Sequence, residues 1–313
     1  MKISQIKKLY KEFGFKIAFS AACASRFKFA QEWKHKCVLN YLTEKYQNII
    51  LKYKNKNNNN EVHQSKIIWT SWWQGDENEI LPEIVKMCLA SMNKNGDIHP
   101  VKVITKNNYR DYVQLPDYII KKVEEGKITL AHLSDIIREY LLSKHGGLWA
   151  DATIFMADKI PEEIFSMPYY TIKHLQNMRS KFISKEMWTG FFQAGEKGNI
   201  LCEFVCDVLL EYWKEHDTLI DYFMIDYLIK IAIDEIPNAA KLFDNVPFNN
   251  PNIYELFNLL NSKWDAELYE KLKQNTTFFK LSWKNKYKKE IDGHETFYGH
   301  LLRRITNFTS CPS

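Results

Sequence analysis

The sequence predicts an α/β protein with a mostly parallel central sheet, a helical C-terminal half and a helical N-terminal arm. Three observations predict it. Short apolar strands alternate with helical periodicity between Lys66 and Met156, the apolar spacing beyond residue 195 is mainly helical, and the first 54 residues repeat apolar and aromatic positions at near-helical intervals. The chain has 313 residues, of which 45% are hydrophobic and 26% charged, so it can bury a substantial core and is neither disordered nor fibrous.

In the arm, Ile6, Leu9, Tyr10, Phe13 and Ile17, then Phe27, Trp33, Val38, Tyr41, Leu42, Ile49 and Ile50, set the helical spacing. Residues 1–60 carry 13 basic and 3 acidic side chains, whereas the remainder carries 30 basic and 35 acidic ones, for a net charge of +5. A basic arm ahead of a mildly acidic body points to an anionic partner. Helices packed on the body that also touch a membrane surface are the expected reading, since a membrane suits a basic helix with Phe, Trp and Tyr on its other side, and a partner-binding arm is the further alternative. No nucleic-acid motif is present, so nucleic acid is not the expected partner. The run Asn55–Asn60, which includes Lys56, reads as a linker. The domain expectation is therefore 1–60 as arm and linker and 61–313 as one functional domain, with 61–195 the ligand-binding α/β part and 196–313 mainly helical.

Within that domain, Lys66–Thr70 is a short strand running into a Trp-rich turn from Trp69 through Trp72 and Trp73 to Gly75. Pro82 opens a helix to about Asn93, and Val101–Thr105 is a second strand. Apolar residues at 130, 133, 136, 137, 140 and 141 predict a helix over Leu130–His145, stopped by Gly146-Gly147. Leu148–Met156 reads as a strand, and Thr189–Gly195 as a strand entering a Gly turn. Helices are expected over 198–216, 218–236, 252–260 and 264–273, then a strand over Phe278–Trp283 and a helix near Glu295–Ile305.

The best candidate for a targeting segment, Ile17–Ser25, has nine uncharged residues, against the roughly 18 that a membrane span needs. Six cysteines show no paired metal spacing, and Cys202 and Cys206 fall on one face of a predicted helix. That usage fits a reducing compartment, so the chain reads as cytoplasmic.

The chemistry concentrates in Ser134-Asp135-Ile-Ile-Arg138 and, after Gly146-Gly147, in Leu-Trp149-Ala-Asp151-Ala-Thr153. On the helix, Asp135 and Arg138 are three apart and can pair or face one ligand together. On the strand, Trp149, Asp151, Thr153 and Phe155 are expected on one face. A carboxylate and a hydroxyl thus emerge at the C-terminal end of a strand, where open α/β sheets bind ligands.

These segments, with Ile68-Trp69, resemble the core of the capsular polysaccharide synthesis glycosyltransferases. Those enzymes are related to DXD-type sugar transferases that include yeast mannosyltransferases and clostridial glucosylating toxins. The resemblance runs from about residue 60 to the C-terminus and more loosely through the arm. It implies a GT-A-like fold, a nucleotide-sugar donor with a UDP-sugar foremost, and a growing capsular polysaccharide or lipid-linked oligosaccharide as acceptor. It also implies retention at the anomeric carbon and a peripheral position on the inner face of the plasma membrane. Asp151, Asp135 and Arg138 would be the catalytic set. Trp69 would lie against the base, Ser134 and Asp135 would hold ribose or the donor sugar, Arg138 would bind the sugar or brace Asp135, and Gly147 and Trp149 would complete the donor side. Asp151 and Thr153 would hold Mn²⁺ or Mg²⁺, and His294 would close over the diphosphate. Thr153 stands where the wider pattern has a second Asp. A neutral hydroxyl is a weaker ligand, and Lys280, Lys284 and Lys286 are candidates to neutralise phosphate instead. Two alternatives remain open at this level: a toxin-like transferase acting on protein, and an inactive nucleotide-sugar-binding scaffold.

Overall fold

The computed structural model describes residues 1–56, 65–73, 81–174 and 181–309. Residues 57–60 of the Asn-rich run, Gln74 and Gly75 of the Trp-rich turn, and Cys311 lie outside the described residues. The arm is α1 (Ile3–Ala24), α2 (Ala30–Lys45) and α3 (Gln47–Lys54). The body opens with β1 (Ile68–Ser71), α4 (Glu83–Asn95), β2 (Val101–Ile104), α5 (Asp117–Glu124) and α6 (Leu130–His145). Then come β3 (Gly147–Ala150), β4 (Ile154–Met156), α7 (Glu163–Ser166), β5 (Tyr169–Thr171) and β6 (Phe192–Gly195). The helical half holds α8 (Ile200–Glu215), α9 (Met224–Glu235), α10 (Pro237–Asp244), α11 (Glu255–Leu259) and α12 (Ala266–Lys273). It ends with β7 (Phe278–Lys280), the hairpin β8 (Glu290–Ile291) and β9 (His294–Glu295), and α13 (Phe297–Thr309).

The central sheet has the order β2-β1-β3-β6-β5. Strands β2, β1 and β3 pair in parallel, and β6 runs antiparallel to both β3 and β5. Four of the five strands therefore point the same way, and the mostly parallel sheet expected from the sequence is present.

Helix α6 covers the residues its apolar spacing predicts. The Thr129 hydroxyl caps it by accepting from the His132 amide, and Leu133, Ile136, Ile137, Leu141 and Leu142 are fully buried. It packs against α8, on which Cys202 and Cys206 are buried as expected. Both of the following glycines have left-handed backbone, Gly146 at φ +68° and Gly147 at φ +103°. A Cβ on Gly147 would meet the Ile67 carbonyl oxygen at 2.5 Å. This close approach lets β3 enter the sheet directly beside β1.

The stretch Leu148–Met156 departs from its expected course. It breaks at Asp151–Thr153 into two strands of different sheets, because the Asp151 amide turns to the Phe191 carbonyl (2.9 Å) and the Ile154 amide closes a turn on the Asp151 carbonyl (2.8 Å). Strand β4 then pairs antiparallel with β7, Ile154 opposite Lys280. This ribbon is a partition between two cores. Ile154, Met156 and Phe278 belong to the main core, whereas Phe155 and Phe279 face a second one built with α4, α11 and α13. Helix α9 also starts later than expected, since the Asp221 carboxylate takes the Phe223 amide in a turn.

The arm lies on the body. The Phe13 ring stands 5.0 Å from His216 and 5.4 Å from Tyr41. Lys34 pairs with Asp221 (2.8 Å), Lys45 with Glu215 (2.8 Å), Lys52 with Asp207 (2.7 Å), and Lys56 with Glu203. Part of the arm's positive charge is thus answered by the acidic body. Among the described residues no helix is long and apolar enough to cross a membrane.

Gly147→Ala is expected to destabilise the protein by about 1–3 kcal/mol from backbone strain alone, and by more once Ile67 is displaced. Urea unfolding monitored by tryptophan fluorescence would read the loss, and an unchanged midpoint would contradict the close-packing account.

Candidate active site

A cleft of about 800 Å³ opens where β1 and β3 end. Its walls bring together residues far apart in sequence: Trp72 and Trp73 after β1, Ser134, Asp135 and Arg138 of α6, and Asp151 and Thr153 after β3. Gly190 and Phe191 before β6, Asp226 of α9, and Lys280 at the end of β7 with the following residues to Lys284 complete it.

Arg138 is 3% exposed, and three carboxylates surround it. Its Nη2 donates to Asp135 Oδ1 at 2.6 Å, its Nε to Glu139 Oε1 at 3.4 Å, and its Nη1 stands 3.9 Å from Asp151 Oδ1. Burial opposes its charge, but these anions outweigh that and hold the guanidinium ionised. Burial also acts against the Asp135 carboxylate, but Arg138 and a hydrogen bond from His132 (3.2 Å) keep it below the usual range. Glu139 fares differently. Burial pushes its carboxyl up to about 7, an effect Arg138 only partly offsets and the Asp135 charge reinforces. Asp226, which faces the cleft, is likewise pushed up to about 7, first by desolvation and then by Asp135.

Asp151 is the second centre. Its Oδ1 accepts from Trp149 Nε1 at 3.0 Å, and its Oδ2 accepts from Lys280 Nζ at 2.6 Å. The Lys280 ammonium also lies 4.7 Å from the Phe191 ring centre. Register places it there, because β7 runs beside β4 and the Leu281 amide bonds the Thr153 carbonyl at 2.9 Å.

Of the residues expected to form the site, Ser134, Asp135, Arg138, Asp151 and Thr153 line the cleft. Trp69, Gly147, Trp149 and His294 do not. Trp69 is 2% exposed, and its indole donates to the Gly146 carbonyl at 2.8 Å, so it pins the turn between α6 and β3 rather than offering a base platform. Gly147 serves chain packing, and Trp149 lies buried beneath Asp151 and orients it. His294 is exposed on the β8–β9 hairpin. The aromatic surface in the cleft comes from Trp72, Trp73 and Trp283, with the Trp72 and Trp283 rings edge to face at 5.7 Å. Trp283 and Thr129 carried no sequence signal of function; only the pairing of β7 with β4, and the folding of α6 against the end of the sheet at this cleft, puts them there.

The donor set does not make a cage for a divalent ion. Among the described residues no three His, Cys, Asp or Glu side chains converge on one point. Asp151 already holds an ammonium and has a guanidinium beside it, and Thr153 is 8% exposed with a neutral hydroxyl. A dication about 4 Å from the Lys280 ammonium would meet a repulsion on the order of 8 kcal/mol at an effective dielectric of 20. The expectation that Asp151 and Thr153 hold Mn²⁺ or Mg²⁺ thus meets a site already charged with the protein's own cations.

Comparison with known proteins agrees with the sequence motifs. The family model described as capsular polysaccharide synthesis protein matches residues 21–301. The chain belongs to that family. The match takes in α2 and α3 as well as the whole cleft. No curated protein sequence matches the family member described here. Among solved structures, the PaToxG glycosyltransferase is 13% identical with a TM-score of 0.42, covering 79% of this chain and 95% of its own. The WbbM bifunctional glycosyltransferase, in its apo structure, is 10% identical with a TM-score of 0.37, covering 80% of this chain and 51% of its own. The chain spans about half the length of the WbbM structure. Likeness at this level carries no argument about activity or substrate.

Glu139 gives a pH test of this electrostatic layout. Its folded carboxyl holds a proton up to about 7, whereas in the unfolded chain it loses it near the usual value of about 4.3. The folded state therefore binds more protons across that window, and stability falls as pH rises through it. Glu139→Gln abolishes this cost, so its melting temperature relative to wild type is expected to be higher at pH 8 than at pH 5. A difference that does not change with pH would show that Glu139 ionises normally.

Proposed function

We propose that this member of the capsular polysaccharide synthesis family is a glycosyltransferase that uses the cleft to bind a nucleotide-sugar donor. The observation that carries the proposal is the convergence of two charge pairs, Asp135–Arg138 and Asp151–Lys280, in one cleft walled by Trp72, Trp73 and Trp283. Such a cleft offers what a nucleotide sugar needs: aromatic faces for the base, carboxylates for sugar hydroxyls, and fixed cations for the diphosphate. In this reading Trp72 and Trp73 take the place first given to Trp69, Asp135 holds the donor sugar with Arg138 bracing it, and Ser134 and Thr153 contribute hydroxyls at its edge. A UDP-sugar is the donor of choice, and a growing capsular polysaccharide or lipid-linked oligosaccharide is the acceptor.

The reaction is sugar transfer with retention. The anomeric carbon–oxygen bond breaks with its electron pair on the diphosphate, and an acceptor oxygen bonds to the same face of the carbon. Its proton passes to the departing diphosphate oxygen. The carboxyl of Asp226, with its affinity for a proton near 7, can bond an acceptor hydroxyl in either ionisation state.

The arm is the proposed contact with an anionic membrane. On α1 and the turn after it, Phe15, Phe19, Phe27 and Phe29 are exposed, with Trp33 of α2 beside them. Lys7, Lys8, Lys11, Lys16, Arg26 and Lys28 are exposed around them. Apolar rings amid cations suit the headgroup boundary of a bilayer. Sedimentation with vesicles is expected to give binding that requires anionic lipid, falls with salt, and drops several-fold in Phe15→Ser/Phe19→Ser/Phe29→Ser. Equal recovery with neutral vesicles would refute the assignment.

For the cleft, the decisive experiment is a thermal-shift series with nucleoside diphosphates and nucleotide sugars. A ligand at about 100 times its dissociation constant adds roughly 2.7 kcal/mol of stability. One nucleotide is expected to raise the melting temperature of wild type and to shift that of Asp151→Asn markedly less. A folded protein that responds to none of them would refute the donor site.

A further inference from the structure

We infer that the ε-ammonium of Lys280, rather than a bound divalent cation, receives the donor's diphosphate, and that Asp151 acts as the residue that aims it. The inference rests on the nucleotide-sugar reading of the cleft and adds to it the source of positive charge.

Asp151 has little left to offer a metal ion. One of its carboxylate oxygens accepts from the Trp149 indole at 3.0 Å and the other from Lys280 at 2.6 Å, with Arg138 Nη1 3.9 Å away. A carboxylate flanked by two protein cations is already compensated, and a dication placed on it would be repelled by both. The position two residues on, Thr153, has no charge to add. Its backbone is tied to Leu281, which brings β7 and its terminal Lys280 to this spot.

Lys280 has the properties that a diphosphate-binding group needs. Its stem is fixed in the β4–β7 ribbon, its head is held between the Asp151 carboxylate and the Phe191 ring, and its side chain is 22% exposed, toward the cleft. An ammonium has three donors; Asp151 takes one, which leaves two for phosphate oxygens. Lys284 stands in the same wall. Arg138 is committed elsewhere, since Asp135 and Glu139 both bind it, so Lys280 is the cation best placed to turn to a ligand. During transfer it neither gains nor loses a proton. It stabilises the charge that collects on the diphosphate as the anomeric bond breaks.

The test is calorimetric titration of wild type, Lys280→Ala and Lys280→Arg with UDP, GDP, ADP and CDP, each in EDTA and again with Mn²⁺ or Mg²⁺. Melting curves of each variant establish that it is folded. Wild type is expected to bind one diphosphate with the same affinity, within about twofold, in EDTA and in metal. Lys280→Ala is expected to weaken it by roughly tenfold to a hundredfold, the range for a lost charge-assisted hydrogen bond. Affinity for the matching nucleoside should stay the same, and Lys280→Arg should restore part of the loss. Binding of a diphosphate that requires Mn²⁺ or Mg²⁺ in wild type would overturn this inference and leave the donor site standing. So would a diphosphate affinity unchanged in Lys280→Ala. Failure of folded wild type to bind any of the four, with or without metal, would overturn the nucleotide-sugar reading and this inference with it.

Discussion

A guanidinium taken out of water has to be compensated by nearby anions and hydrogen bonds, and the buried Arg138 imposes that requirement on everything around it. Asp135 is one turn before it on the same helix, Glu139 is its neighbour, and Asp151 arrives from the next strand. The Trp149 ring, 5.7 Å from the guanidinium, adds a further favourable face. Gly190 leaves room for it, since a Cβ there would come within 3.3 Å of Nη2. Three segments of the chain thus meet at the foot of the cleft because one cation needs all of them. Asp135 is the foremost of these anions and stays ionised, whereas Glu139, its carboxyl pushed up to about 7, compensates the cation only in part.

The sequence was most legible where function and regular structure share a segment. The spacing of Leu133, Ile136, Ile137 and Leu141 marked α6 to the residue, and the Asp135–Arg138 pair follows directly from helical geometry. The two glycines declared the turn that lets β3 lie against β1. Strand β5 and helices α5 and α10 are short, so period alone distinguishes them poorly from loops.

Trp69 and Trp149 show a different limit. Both sit in the motif, and both indoles donate hydrogen bonds, but to Gly146 and Asp151 rather than toward a ligand. A tryptophan beside a functional residue reads the same in sequence whether it contacts a ligand or supports the residue that does. Burial decides between the two, and only tertiary structure supplies burial. The break at Asp151–Thr153 was hidden for a related reason: nothing in Ala150-Asp-Ala-Thr-Ile tells that the second half finds its partner in β7, more than 120 residues later.

That break has a mechanical consequence. Asp151 directly follows a strand of the main sheet, whereas Lys280 ends a strand of the ribbon that divides the two cores, so the two halves of one ion pair are mounted on different bodies. Their 2.6 Å separation measures how those bodies are seated against each other. Any slip of the ribbon draws the charges apart as it shifts the residues it buries in the two cores. The cleft is therefore a gauge of alignment between the two packed halves of the molecule, and a change in how the α4–α13 side packs is felt at the charged site without any residue of the site being touched.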